Sequence, residues 1–161
     1  MSSVVKRADR RHFMNVGTAD VPVWELMGEG FTSFCEVKNP VIYSRRYIHE
    51  NASRTDVTGY SPEVEYALDV YSDNPVIDKI RYITDKEETG ENARVEVMTV
   101  DYFDAGSDGR FRAAKRFFSV IPDECGEGTD ALIYTGTLRA LGDAEFGLFD
   151  ASLCCFIPEQ A

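Results

Sequence analysis

A mainly β fold with one helix is predicted: an α+β arrangement of two packed antiparallel sheets that form a sandwich or barrel. Three observations carry this reading. About seven stretches rich in β-branched and aromatic residues are separated by clusters of Gly, Pro, Asn and Asp. Only one stretch, SDNPVIDKIRYITDKEETG over residues 72–90, has convincing helical periodicity. That helix falls between strands that turns otherwise join, which suggests antiparallel sheets rather than repeated βαβ units.

The elements follow in chain order. Residues 1–33 read as an irregular N-terminal arm, broken by Gly17, Pro22, Gly28 and Gly30. Within it Trp24 should pack down on a core through its ring. The first twelve residues carry Lys6, Arg7, Arg10 and Arg11 against Asp9 alone, a basic arm that could pair with the acidic body of a neighbouring copy or simply stay solvated. Residues 31–37 are a first short strand, ended by Asn39-Pro40. Residues 41–48 and 63–71 then read as two strands of a hairpin joined by the long polar connector 49–62, which holds His49, Glu50, Asn51, Arg54, Asp56 and Tyr60. A connector of this length far exceeds the roughly two to five residues usual in hairpins, so it is mobile or held by something outside its own domain. In the second strand Val64, Tyr66, Leu68 and Val70 face one way, while Glu63, Glu65, Ala67 and Asp69 face the other. An acidic strand face requires water or a polar cavity.

In the helix, Ser72, Asp73 or Asn74 can cap the N-terminus and Pro75 suits the first turn. Val76, Ile77, Ile80, Ile83 and Thr84 form an inward stripe, and Gly90 is the expected stop. The remainder reads as strands over 93–103, 111–121, 131–141 and 146–157. Their connections are the turn 104–109, the loop 122–130 and the turn Gly142-Asp143. No repeat or linker interrupts the chain, so residues 1–161 are expected to form one domain.

Composition narrows the function. The 161 residues hold 17 Lys and Arg against 28 Asp and Glu, a net charge of −11, which argues against phosphate-driven nucleic-acid binding. No apolar run approaches the ~20 residues of a membrane span, and the first residues lack the apolar stretch of a signal peptide, so synthesis in a cytoplasm is expected. Cys35, Cys125, Cys154 and Cys155 form no CxxC pair, and only His12 and His49 could add imidazoles, so no zinc site is expected. The thiols read as small buried hydrophobes, with Cys154 and Cys155 on opposite faces of a strand.

Catalytic patterns are scarce. GxSxG, HExxH and P-loop motifs are missing. Gly126 to Thr129, GEGT, does not lead into a helix and stands among Asp123, Glu124 and Glu127, so it reads as a loop rather than a phosphate cradle. Glu63 and Glu65 would sit about 7 Å apart on one face, a spacing that glycosidase carboxylates can have, but two acids in an acidic chain are weak grounds for catalysis. No enzyme activity and no cofactor are expected.

Several local patterns in order resemble the tail tube (major tail) proteins of long-tailed bacteriophages and related tail-like particles. They begin with NVGTADVPVWELMGEGFTSF at residues 15–34, a Gly-rich opening followed by a tryptophan and a short strand. The NP turn, the Tyr-Ile before the polar connector, the TGY turn and the NPV helix start follow in residues 39–80, and DECGEGTDALIYTGTLRALGDAEFGLFD closes the series at 123–150. The resemblance implies a homohexameric ring of two-sheet subunits, stacked into a hollow tube in the virion tail and assembled in the bacterial host cytoplasm. Six sheets would join into one β-barrel around the lumen. The connector 49–62 and the terminal arm would reach an adjacent ring. Tape measure and baseplate or tail-tip proteins, and in contractile tails a sheath, would be the partners. DNA would pass through the lumen without specific binding, past Glu63, Glu65 and Asp69. The rivals are a tube protein of a contractile secretion machine, a tail terminator, a monomeric ligand-binding β-barrel and a carboxylate hydrolase.

Overall fold

A computed structural model describes residues 1–106 and 108–160. The strands are β1 (Arg10–Asn15), β2 (Trp24–Leu26), β3 (Phe31–Val37), β4 (Pro40–Arg45), β5 (Arg54–Tyr60), β6 (Glu63–Asp69), β7 (Arg94–Ala105), β8 (Phe111–Glu127), β9 (Ile133–Asp150) and β10 (Cys155–Pro158). One helix, α1 (Pro75–Asp85), lies between β6 and β7. The fold is mostly β with a single helix, and every strand pair is antiparallel.

Where the sequence predicts two packed sheets, hydrogen bonding runs through one sheet in the order β2-β1-β7-β8-β9-β6-β3, with β10 added to β9. The strands β4 and β5 pair only with each other, as a separate ribbon. The large sheet curls into a half-barrel. Side chains from towards its two ends meet across the concave side, where the His12 ring on β1 lies 4.4 Å from the Phe34 ring on β3. Both rings share the face of Met14 and Tyr66, so this face is the concave one.

The helix fills the concave side. Asn74 caps it, its Oδ1 accepting from the Val76 and Ile77 backbone N–H groups at 3.1 and 3.3 Å, with Pro75 in the first turn. The inward stripe is as read from the sequence: Val76, Ile77, Ile80 and Ile83 are buried against Val64, Tyr66 and Leu68 of β6, Val95 and Val97 of β7, and Leu138 of β9. The helix is shorter than residues 72–90. It stops at Asp85, because Glu87 takes a left-handed φ of 52°. Lys79 reaches from the helix to the sheet, its Nζ donating to the Asn15 carbonyl at 2.7 Å, which ties α1 to β1.

A second cluster occupies the opposite face, where Phe13, Trp24, Met98, Val100, Ala113 and Phe149 pack together and Phe156 of β10 lies against them. The strand β7 is therefore covered on both faces, which its run Val95-Glu96-Val97-Met98 reflects. Residues 1–33 are less irregular than expected, since they supply β1 and β2 to the sheet. Those strands are short and separated by turn formers, so periodicity does not reveal them.

The turn predicted at Gly142-Asp143 is a bulge within β9. Lys115 pairs with Glu145 and Phe117 with Leu141, so Gly142, Asp143 and Ala144 all stand opposite Arg116. Gly142 has φ 69°, a conformation glycine adopts without strain, which lets the strand continue. Likewise the loop expected over 122–130 is largely strand, with β8 continuing to Glu127. The turn over 104–109 is closed by Gly106 N–H to the Arg110 carbonyl at 2.7 Å; Ser107, inside it, lies outside the described residues.

Candidate functional site

The ribbon of β4 and β5 stands apart from the large sheet. The sequence reading paired residues 41–48 with 63–71 across a long polar connector. Instead β4 pairs with β5, from Pro40 opposite Tyr60 to Arg45 opposite Arg54, and β6 pairs with β3 and β9. Half of the expected loop 49–62 is thus a strand, β5. Its base is closed by Ser61 N–H to the Asn39 carbonyl and by Asn39 Nδ2 to the Ser61 carbonyl, both at 3.2 Å.

Pairing divides the ribbon into two faces. One carries Pro40, Ile42, Val57 and Tyr60, then Ser44 and Thr55, whose hydroxyls are 2.9 Å apart. Ile42, Val57 and Tyr60 are each more than half exposed. The other face is cationic and aromatic: the Arg45 guanidinium lies 5.2 Å from the Tyr43 ring centre, and Arg45 and Arg54 each lie 5.6 Å from that of Tyr47. At the tip Arg54 pairs with Glu50, and the His49 ring stacks on Tyr47 at 6.2 Å. Asp56 sits 3.6 Å from Arg45, while Asn51 is exposed in the bend between the strands. Of the residues expected in a connecting loop, His49, Glu50 and Asn51 do lie in a bend, whereas Arg54, Asp56 and Tyr60 are on β5.

On β6 the alternation holds. Val64, Tyr66 and Leu68 are buried beneath α1, so Glu63, Glu65 and Asp69 lie on the sheet face away from the helix. Glu63 is 3.4 Å from Arg139 of β9, and Glu65 is exposed beside Cys35 and Thr137. This face is mixed rather than purely acidic, because Val37, Phe117 and Ile121 are exposed on it too.

The basic residues are not a single free arm. Arg10 grips Asp101 through two hydrogen bonds of 2.6 and 3.0 Å, and that pairing raises its pKa. Arg11 covers the Tyr102 ring at 4.5 Å. Arg7 donates to the Arg10 and Phe34 carbonyls and reaches His12 Nε2 at 3.2 Å, so it bridges β1 and β3 across the opening of the half-barrel. Lys6, at the surface, engages Asp9 through its backbone: its N–H donates to Asp9 Oδ2 and its carbonyl accepts from the Asp9 N–H, both at 3.0 Å.

His12 is a partner the sequence did not reveal. Arginine has no acceptor, so His12 Nε2 accepts from Arg7 and Nδ1–H donates to Thr99 Oγ1 at 3.0 Å. Burial, with the nearby charges of Arg7 and Arg10, pushes its pKa down to about 4.

The cysteines also differ from expectation. Cys35, Cys125 and Cys154 are exposed rather than buried, and Cys154 stands in a turn with φ 49° ahead of β10. Among the described residues no cluster of His, Cys, Asp or Glu could hold a metal, and no helix is long and apolar enough to cross a membrane.

No family model and no curated protein matches the chain. Solved structures do. The fold is similar to that of a chain in the tail of an empty gene transfer agent (GTA) particle, a structure with helical and C6 symmetry, at TM-score 0.61 and 13% identity over 89% of this chain and 98% of that one. It is also similar to a chain of the six-fold symmetrised anti-feeding prophage baseplate, at TM-score 0.54 and 12% identity over 91% and 97%. This chain therefore has a fold found in phage-tail-type assemblies, from end to end rather than in one part.

Proposed function

We propose that the protein is a structural subunit of a virion tail or tail-like particle, not an enzyme, and that it forms hexameric rings that stack into a tail tube. The observation that carries this reading is the β4–β5 ribbon. Two strands without a sheet are marginal in water, and this pair exposes apolar and aromatic side chains on both faces. Docking on a neighbouring ring would give those faces a surface to bury. The likeness to a C6 tail chain over nearly the full length supports the ring and the stack. So does the half-barrel, whose open edges at β3 and β2 would pair between copies and close a continuous barrel.

In this assembly the face of Glu63, Glu65 and Asp69 lines the lumen, where negative charge repels DNA phosphates and lets a duplex slide. Tape measure and baseplate or tail-tip proteins would be the neighbours at the tube's ends, with a sheath outside in a contractile particle. Electron microscopy of the purified protein tests the reading: long hollow filaments with six-fold cross-sections are expected, and a protein that stays monomeric at high concentration overturns it.

The likeness to a baseplate chain favours a second reading, a ring confined to one end of a tube. It predicts isolated rings that do not grow into filaments.

A further inference from the structure

The concave side of the half-barrel is filled by α1 only in part. Towards the root of the ribbon it opens as a cleft of about 360 Å³, lined among others by Arg10, Glu36, Lys38, Asp101, Arg116 and Phe146. The charges here are mostly matched: Arg10 with Asp101, and Lys38 with Glu36 at 2.7 Å. Arg116 is the exception. It has no ion-pair partner among the described residues, and its Nε is buried without a hydrogen bond. Arg116 is half-buried and its guanidinium has no partner among the described residues, so it can receive an anion from outside. The bulge of β9 stands directly opposite Arg116, and Ala144 from that bulge lines the cleft. Bulges of this kind re-aim a side chain.

The other end of the same two strands has the opposite chemistry. Towards the β8–β9 tip Asp123, Glu124 and Asp130 are exposed. No Lys or Arg occurs between Arg116 and Arg139. Asp123 is seven residues beyond Arg116, about 23 Å along β8 at about 3.3 Å per residue. The ribbon leaves the sheet at the cleft end, directly after Lys38. One end of the subunit thus carries the ribbon and an unsatisfied arginine, and the other carries a tip of carboxylates.

We propose that the cleft around Arg116 is a carboxylate-binding site, and that its occupant is the acidic β8–β9 tip of a second copy stacked head to tail. Such a contact is heterologous and does not close on itself, so it propagates along the stack. The inference rests on the stacking reading above and adds to it the polarity of the stack and the groups that set it.

The test uses the full chain. Stack formation is followed by light scattering and electron microscopy for the wild type, Arg116→Gln, and the tip variant Asp123→Asn/Asp130→Asn, each checked for native circular dichroism. Both variants should need about tenfold more protein to stack, as expected when one member of a desolvated charge pair is removed. The charge exchange Arg116→Glu with Asp123→Arg should stack better than either single change. The tip is exposed, so its variant decides the matter even if Arg116→Gln misfolds. Wild-type stacking that the tip variant leaves unchanged overturns the inference while the stacking reading stands. A wild type that never stacks overturns that reading and the inference with it.

Discussion

His12 shows what single residues in this fold are asked to do. Neutral, it links Arg7 to Thr99 and packs on Phe34, joining side chains from towards the two ends of the sheet. Protonation would place a second N–H against the Arg7 guanidinium. Its folded pKa of about 4 lies below the ordinary value of 6.5, so the unfolded chain takes up the proton first. Stability is therefore complete above about pH 6.5 and falls as the pH drops towards 4. The shift corresponds to roughly 3 kcal/mol once both states are protonated. Arg7 and Arg10 oppose the charged form, while Asp101 favours it weakly. Urea unfolding of wild type and His12→Gln across pH 4–7 isolates this residue from the carboxylates that also titrate there. The wild-type minus variant difference should shrink as pH falls, and a flat difference would exclude the mechanism. Asn74 makes a simpler case: Asn74→Ala removes the acceptor for two amides at the start of α1 and should cost about 1 kcal/mol in the same assay. The cap was legible in the sequence because it lies beside the helix it serves. The His12 network was not, because Thr99 and Phe34 are remote in the chain.

At the scale of elements, the same distinction between local and distant information separates what could be read from what could not. The isoleucine stripe of α1 and the alternation of β6 are properties of one segment, and both stand in the structure. The ribbon depends on a choice between segments. Residues 54–60 and 63–69 are both short, both flanked by turn formers, and either could follow β4 as its hairpin partner. The nearer one pairs with β4, which frees β6 to join β3 and β9. The bulge at Gly142 was hidden for a related reason, since Gly-Asp within a strand reads as a turn until a long partner such as β8 bridges it. The ribbon's stability follows from its isolation. It is anchored at its base and laced by side chains, yet no third strand covers it. Amides of residues 40–60 should therefore exchange much faster than those of β7 in the free protomer and slow by about tenfold or more on assembly. Hydrogen exchange by mass spectrometry checks this, and β7-like protection of the ribbon in the protomer would remove the case for it as an assembly element.

For the whole molecule, the proposed tube requires one surface of each subunit to meet a lumen. The half-barrel has one helix-filled concave side and one face left open around β6. A ring built by joining sheet edges must turn one face of each sheet towards the axis. The helix-covered side lacks the open sheet surface that a continuous barrel wall requires. On the proposed tube reading, the wall would be the face of Glu63, Glu65 and Asp69. The sequence could identify the acids but not their surroundings: Arg139 beside Glu63, with Phe117 and Ile121 further along the sheet. The pairing with Arg139 offsets part of the charge of Glu63, so Glu65 and Asp69 should dominate the field across the channel. Replacing both, as Glu65→Lys/Asp69→Lys, changes the charge by four units per subunit, and six-fold symmetry multiplies the effect. Stacks of this variant should retain short duplex DNA that wild-type stacks release. Retention should fall steeply as salt rises, as phosphate contacts require. If the variant stacks normally and still releases DNA at low salt, the acids face away from the channel, and the other side of the sheet is its wall.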